Sequence, residues 1–205
     1  MNASSADPGP PPQSAAGKPL RAHALRNRNA LIAAAREAFT EGEMDIRIEE
    51  IARRAGVGVG TFYRHFETRE ALIEAVYGQR VDDLCGTAAH LLDTLAPDEA
   101  LHEFLRRFIR HAAASRGMAV TLGTIMTSGS PVFARARSQM VDAIASLMTA
   151  AAATRSIRED IAPETVFRTM GGVCASHGQP EWEAGAHAVV DLLFDGLRYG
   201  ATHSR

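Results

Sequence analysis

The nineteen residues from Ile48 to Phe66, I-E-E-I-A-R-R-A-G-V-G-V-G-T-F-Y-R-H-F, leave few folds open to this chain. Ile48, Ile51, Ala52 and Ala55 recur at helical spacing and form one apolar stripe. Gly56 follows the last of them, where a left-handed residue would end the helix. Val57 can pack under the corner, and Gly58 can start the next helix. Phe62 and Phe66, four apart, bury one face of that second helix. Gly60, Thr61 and Arg64 then face the other way, with Tyr63 and His65 on the flanks. A short helix, a tight glycine turn and a second helix with exposed hydrogen-bonding groups make a helix-turn-helix. The second helix of such a unit can enter a DNA major groove.

The pattern I-A-x-x-A-G-V-x-x-G-T-F-Y-R-H-F-x-x-R-E-A-L-I, continued to Tyr77, resembles the N-terminal domain of the TetR family of bacterial transcriptional repressors. The likeness covers about residues 25 to 80; beyond that, only a helical architecture is shared. One departure is Gly58, where the family commonly has Ser or another polar cap. It weakens the N-cap by a few tenths of a kcal/mol.

The resemblance implies that Tyr63, His65, Thr61 and Arg69 touch DNA phosphates. Arg47, just before the first of the two helices, is a further phosphate candidate. Such contacts fix register and make affinity salt-dependent. Arg64 is the first choice for base reading, because its planar fork matches guanine O6 and N7. Val59 and Gly60 are small enough to let the backbone approach the groove floor, and Val59 could meet a thymine methyl or pack beside Phe62.

Net charge of −2 and a pI near 6.4 do not suggest a nucleic-acid binder. The distribution says more. Residues 18–80 carry 11 Lys and Arg against 9 Asp and Glu, whereas residues 81–205 carry 11 against 14. DNA sites need local positive groups, not a basic whole protein. The first 20 or so residues are rich in Pro, Gly, Ser and Ala and read as a disordered tail. Lys18, Arg21, His23, Arg26 and Arg28 at its exit form either a solvated basic leader or an arm toward DNA.

Everything downstream reads helical. Expected helices run from about Leu25 to Thr40, Arg47 to Ala55, Val59 to His65, and from Thr68 as N-cap to about Leu95. Further ones start at Pro97, cover Met118 to Met126 and Val132 to Ala153, start at Ala162, and run from Trp182 to Tyr199. The expectation is an all-α chain of about nine helices: a tail (1–20), a DNA-binding domain (21–67) and a C-terminal ligand-binding and dimerisation domain (68–205).

The resemblance implies a homodimer built on the last two helices. The residues expected there are Gly171, Ala175, Trp182, Val189, Val190, Leu193, Phe194 and Leu197. It also implies a small-molecule pocket within the C-terminal domain. Candidate lining groups are Phe104, Phe108, His111, Thr121, Met126, Met140, Phe167, Met170 and Cys174; Met and Phe suit an apolar ligand. The same residues also suit plain core.

No apolar run approaches a membrane span, and no secretory signal opens the chain. With only Cys85 and Cys174, a cytoplasmic protein with reduced thiols is expected. The eight histidines form no HxxxH or HExxH pair and the cysteines no CxxC, so neither a metal nor a cofactor is expected and an enzyme is disfavoured. The reading is a dimeric regulator on a pseudo-palindromic double-stranded operator, a repressor released by an apolar ligand. Alternatives are a regulator without a small-molecule inducer, an activator, or a helical interaction protein that has lost DNA binding.

Overall fold

The computed structural model describes residues 17–114, 130–175 and 181–199 (the backbone alone for 17–20). Eight helices and no strand occur among them. In chain order they are α1 (Gly17–Thr40), α2 (Ile48–Arg54), α3 (Val59–His65), α4 (Arg69–Thr94), α5 (Pro97–Ala113), α6 (Pro131–Ala153), α7 (Pro163–Ala175) and α8 (Trp182–Tyr199). The expected helix over Met118 to Met126 lies outside the described residues, as does the tail up to residue 16.

Local signals explain most boundaries. The α2 helix carries Glu49 and Glu50 in its first turn and Arg53 and Arg54 in its last, matching the helix dipole at both ends. Gly56 adopts φ 69°, and the Val57 amide donates to the Ala52 carbonyl at 2.9 Å. That six-residue closure is a Schellman motif with Gly56 at its left-handed position. The Thr68 hydroxyl accepts from the Ala71 amide at 3.1 Å and caps α4. Pro97 and Pro131 each occupy a first turn, where the missing amide hydrogen costs nothing.

The start of α1 departs from expectation. It begins at Gly17, eight residues before Leu25. The Pro-rich run before it reads as disorder, but Pro19 falls in a first helical turn, where proline is tolerated. Ala22, Ala24, Leu25 and Arg26 are strong helix formers.

Two buried clusters organise the chain. The first joins Leu31, Ile32, Ala35 and Phe39 of α1 to Ile51, Ala52, Phe62 and Phe66. It also takes Leu72, Ile73 and Val76 from α4 and Phe133 from α6. A division at residues 67 and 68 therefore cuts through this cluster. The second is the core of the C-terminal body, built from α4 to α8, with Phe104, Leu101, Leu105, Ile144 and Val166 inaccessible to solvent. Tyr77 packs against both clusters, its ring 5.1 Å from that of Phe133.

The junction is polar at one edge. Arg80 of α4 is only 3% exposed. Its guanidinium donates to the Ala114 carbonyl beyond α5 at 2.9 Å and to the Thr40 hydroxyl ending α1 at 2.6 Å. One side chain thus holds the ends of two helices from different halves. Beside it, Arg36 pairs with Asp83 across α1 and α4.

Gly58 caps α3 at φ −76°, an ordinary extended value, and a Cβ there meets no atom within 4 Å. Its lack of a side chain is therefore not required by backbone or packing. Gly58→Ser is expected to raise unfolding free energy by a few tenths of a kcal/mol by supplying the missing cap. Chemical denaturation of both proteins checks this; a lower midpoint in the variant would contradict it.

Candidate DNA-binding surface

Seven residues make α3, and their orientation is set by Phe62. Its ring is inaccessible to solvent and lies edge-on to Tyr63 at 5.3 Å and tilted against Phe66 at 5.8 Å. With that side anchored, Gly60, Tyr63 and Arg64 are exposed, and Thr61 and His65 are half-buried. Tyr63 is 52% exposed, a large value for an aromatic side chain. A Cβ on Gly60 would meet nothing within 4 Å, so no neighbour inside the chain requires a glycine there. Val59 is half-buried and packs against the first cluster, the core role that competed with a thymine contact.

Two expected phosphate groups part company. Arg47 is exposed at the N-cap of α2. Arg69 instead turns inward: its guanidinium donates to the carbonyls of Met44 and Ile46 and lies over the Phe39 ring. Those carbonyls belong to the loop between α1 and α2, which has no helical partners to offer them. Arg69 thus braces the loop that positions α2, in place of reaching outward for phosphate.

The distribution of ion pairs sharpens the surface. Arg53 and Arg54 bind Glu50, and Arg54 also binds Glu43; both arginines hold the Glu50 carboxyl down to about 2. Arg36, Arg106, Arg107, Arg110, Arg135, Arg158 and Arg198 all face carboxylates as well. Apart from the inward-turned Arg69, the arginines of the N-terminal helices with no acidic partner among the described residues are Arg21, Arg26, Arg28, Arg47 and Arg64. These five lie on α1, the start of α2 and α3. On the C-terminal body, Arg137, Arg155 and Arg168 are the corresponding exceptions, spread over two helices and a loop. Arginines without a carboxylate partner are thus more frequent on α1 to α3 than on the C-terminal body, which net charge conceals.

The expected dimer residues divide by depth. Trp182, Val190, Phe194 and Leu197 are buried inside their own chain, and the Trp182 indole N–H donates to the Val173 carbonyl at 2.8 Å. Phe194 stacks on His102 of α5 at 4.3 Å. These four are intramolecular core, and Leu193 packs partly against it. Val189 is 40% exposed, and Gly171 and Ala175 are exposed on α7. The sequence reading missed Leu192, 72% exposed, and Tyr199, 74% exposed. With Gly185, Ala188 and Gly196 they complete an exposed stripe on α8.

The expected ligand-lining residues also separate. Phe104, Met140 and Met170 are buried in the second cluster, with Phe108, Phe167 and Cys174 partly buried against it. Thr121 and Met126 lie outside the described residues. Burial pushes the thiols of Cys85 and Cys174 up to about 11, which leaves them protonated and unreactive at neutral pH. His111 sits near Arg80, Arg36 and Asp83, at the polar junction. Burial, reinforced by the two arginines, pushes its pKa down to about 4.

The sign of the resulting pH effect is fixed. Folded His111 stays neutral, whereas the unfolded side chain takes up a proton near pH 6.5. Stability should therefore fall as pH drops from 6.5 towards 4. His111→Gln should lose less stability than the parent between pH 7.5 and 5 in urea unfolding. Equal losses would remove His111 as a source of the slope.

A helix-turn-helix with an exposed polar reading face, carried on a larger helical body, defines a DNA-binding regulator. Comparisons narrow the class. Residues 31–76 match the model "Bacterial regulatory proteins, tetR family", and residues 96–199 match "Transcriptional regulator SbtR-like, C-terminal domain". A TetR transcriptional regulator of Streptomyces coelicolor, SCO0520, is 43% identical. The match covers 83% of this chain and 98% of that one, with a TM-score of 0.68. A TetR regulatory protein of Mycobacterium vanbaalenii is 33% identical over 88% of this chain and 99% of its own, at 0.65. A curated relative, the HTH-type transcriptional regulator SAR0097 of Staphylococcus aureus, is 36% identical over 67 residues; the match spans 31% of this chain and 35% of that protein's length. The chain belongs to the TetR family of bacterial transcriptional regulators. No helix among the described residues is long and apolar enough to cross a membrane.

Proposed function

We propose that the protein is a homodimeric repressor that binds a pseudo-palindromic operator through two copies of α3 and leaves it when an apolar small molecule enters the C-terminal body. The observation that supports this most directly is that Arg47, Tyr63 and Arg64 are exposed, both arginines without a carboxylate partner, with Thr61 and His65 half-buried on α3. Arg64 reads a guanine through O6 and N7, while Tyr63, His65, Thr61 and Arg47 hold phosphates. Gly60 lets the helix backbone approach the groove floor.

Dimerisation supplies the second half-site. Leu192, Val189 and Tyr199 of α8, flanked by Gly185, Ala188 and Gly196, meet the same residues of a second copy, with Gly171 and Ala175 of α7 alongside. Small residues allow close helix approach, and the apolar area exposed there is what such an interface covers. The ligand enters among Phe104, Phe108, Met140, Phe167, Met170 and Cys174. Phenylalanine and methionine can repack around an apolar guest. Binding the DNA-incompetent arrangement more tightly is sufficient to drive release.

The test is selection of bound sequences from a random duplex pool with the purified protein. A recovered palindrome supports the dimeric reading; recovery of no motif at moderate salt would overturn it. On the recovered site, Arg64→Ala should cost about 1–3 kcal/mol and relax preference at one base pair per half-site. Tyr63→Phe should weaken all sequences alike, by about 1 kcal/mol. If both variants bind as the parent does, α3 is not the reading helix. Raised melting temperature with an apolar ligand, together with loss of operator binding, supports the inducer; a reporter gene that falls silent when the protein is deleted would mark an activator.

A further inference from the structure

The first ten residues of α1, Gly17–Arg26, span about 15 Å of helix, and the side chains of 21–26 are all exposed. Buried positions begin only at Leu31. Short helices without tertiary packing are marginal in water, so this extension gains little from its own chain. Its composition is also one-sided: no Asp or Glu occurs between Asp7 and Glu37, a stretch containing Lys18, Arg21, Arg26, Arg28 and Arg36.

The register gives the extension a direction. Arg21, Leu25, Arg28 and Ile32 are spaced at four, three and four, so they lie on one stripe of α1. Ile32 is 3% exposed and belongs to the cluster that holds α3. Arg28 stands over the ring of Phe66, 5.2 Å from its centroid, and Phe66 directly follows α3. The face that packs on the reading unit therefore continues past the edge of the core as Arg28, Leu25 and Arg21. Leu25 remains 60% exposed on that stripe, and Arg21 has no acidic partner among the described residues. Arg21 lies about 10 Å beyond Arg28 along the axis. Arg26 is on the opposite side of the helix, two residues and about 200° from Arg28.

We infer that the N-terminal extension of α1 is a second DNA-contacting element, which lays the Arg21–Arg28 stripe along backbone phosphates flanking the sequence that α3 reads. This inference rests on the proposed DNA-binding reading. Phosphate contacts carry no sequence information of their own, so the extension adds affinity and footprint length and leaves the consensus unchanged. Leu25 packs on the sugar edge between the two guanidinium groups.

Two single variants test the placement: Arg21→Gln and Arg26→Gln. Each removes one exposed positive charge that contacts no acidic group, so the fold is unaffected. Full-length protein is titrated onto the duplex recovered with the parent chain, extended by ten base pairs on each side, across a range of salt concentrations. Arg21→Gln should weaken binding about three- to tenfold at physiological salt and make the log–log salt slope shallower by about 0.9 per contacted phosphate. It should shorten the hydroxyl-radical footprint at both outer flanks. Arg26→Gln should leave slope and footprint as they are, and Arg21→Lys should restore most of both. Equal losses in the two glutamine variants would reduce the effect to net charge and overturn the stripe. An unchanged slope in Arg21→Gln would overturn the contact outright. If the parent recovers no duplex, the DNA-binding reading fails and this inference falls with it; if the parent binds and Arg21→Gln is indistinguishable from it, this inference alone fails.

Discussion

Leu192→Glu is expected to leave each chain folded while abolishing tight operator binding. Leu192 is 72% exposed in its own chain, so a glutamate there meets water and costs the monomer almost nothing. In a two-fold interface the same substitution places two carboxylates close together in an apolar setting, which is several kcal/mol unfavourable. Light scattering should show a monomer where the parent shows a dimer. A monomer presents one reading helix, and the second half-site no longer binds as an intramolecular event; operator affinity should fall by a factor on the order of 100 or more. Val190→Glu is the instructive contrast. Val190 is 1% exposed within the chain, so that variant should fail to fold. A Leu192→Glu protein that remained a dimer would move the interface away from α8.

Phe62→Ala should be the most damaging single change in the reading unit. The ring is fully buried and touches both Tyr63 and Phe66. Removing such a side chain costs about 3–5 kcal/mol, from lost burial and the cavity left behind. A domain of ordinary stability survives on little more than that. Short as it is, α3 has no propensity-driven stability to fall back on. The expected result is loss of DNA binding with most α-helical signal retained, because the second cluster does not include Phe62. Hydrogen exchange should rise across α2 and α3 and not across α8. Unchanged exchange in α2 and α3 would mean that Phe62 does not anchor them.

What could be read in advance was local. Gly56 had to be left-handed because the apolar stripe stops beside it, and Thr68 had to cap because Glu70 and Leu72 follow. The depth of α8 was not legible in the same way. Its apolar residues cover most of the helix surface, and periodicity cannot say which half meets its own chain and which is left over. Trp182, Val190, Phe194 and Leu197 took the inner half, leaving Leu192 and Tyr199 outside. Arg69 escaped for a different reason. Its partners are carbonyls more than 20 residues away, brought near only once the first cluster has formed. Phe104 and Met170 have the composition of a pocket wall and of a packed core at once, and a sequence pattern does not choose between the two.

Phe133 carries a consequence for how such regulators can be recombined. Its benzyl group arrives from α6, some seventy residues downstream of α3, and completes the cluster that holds the reading helices. The head is thus finished by a plug from the body. A fragment ending at α4 would leave the place of that ring beside Tyr77 empty, so grafting this head onto another protein would require the donor's α6 or a substitute ring. Head and body are consequently coupled through packing: exchange between relatives is expected to work where a recipient body presents an aromatic at the position of Phe133, and to yield a soft, poorly packed head where it does not.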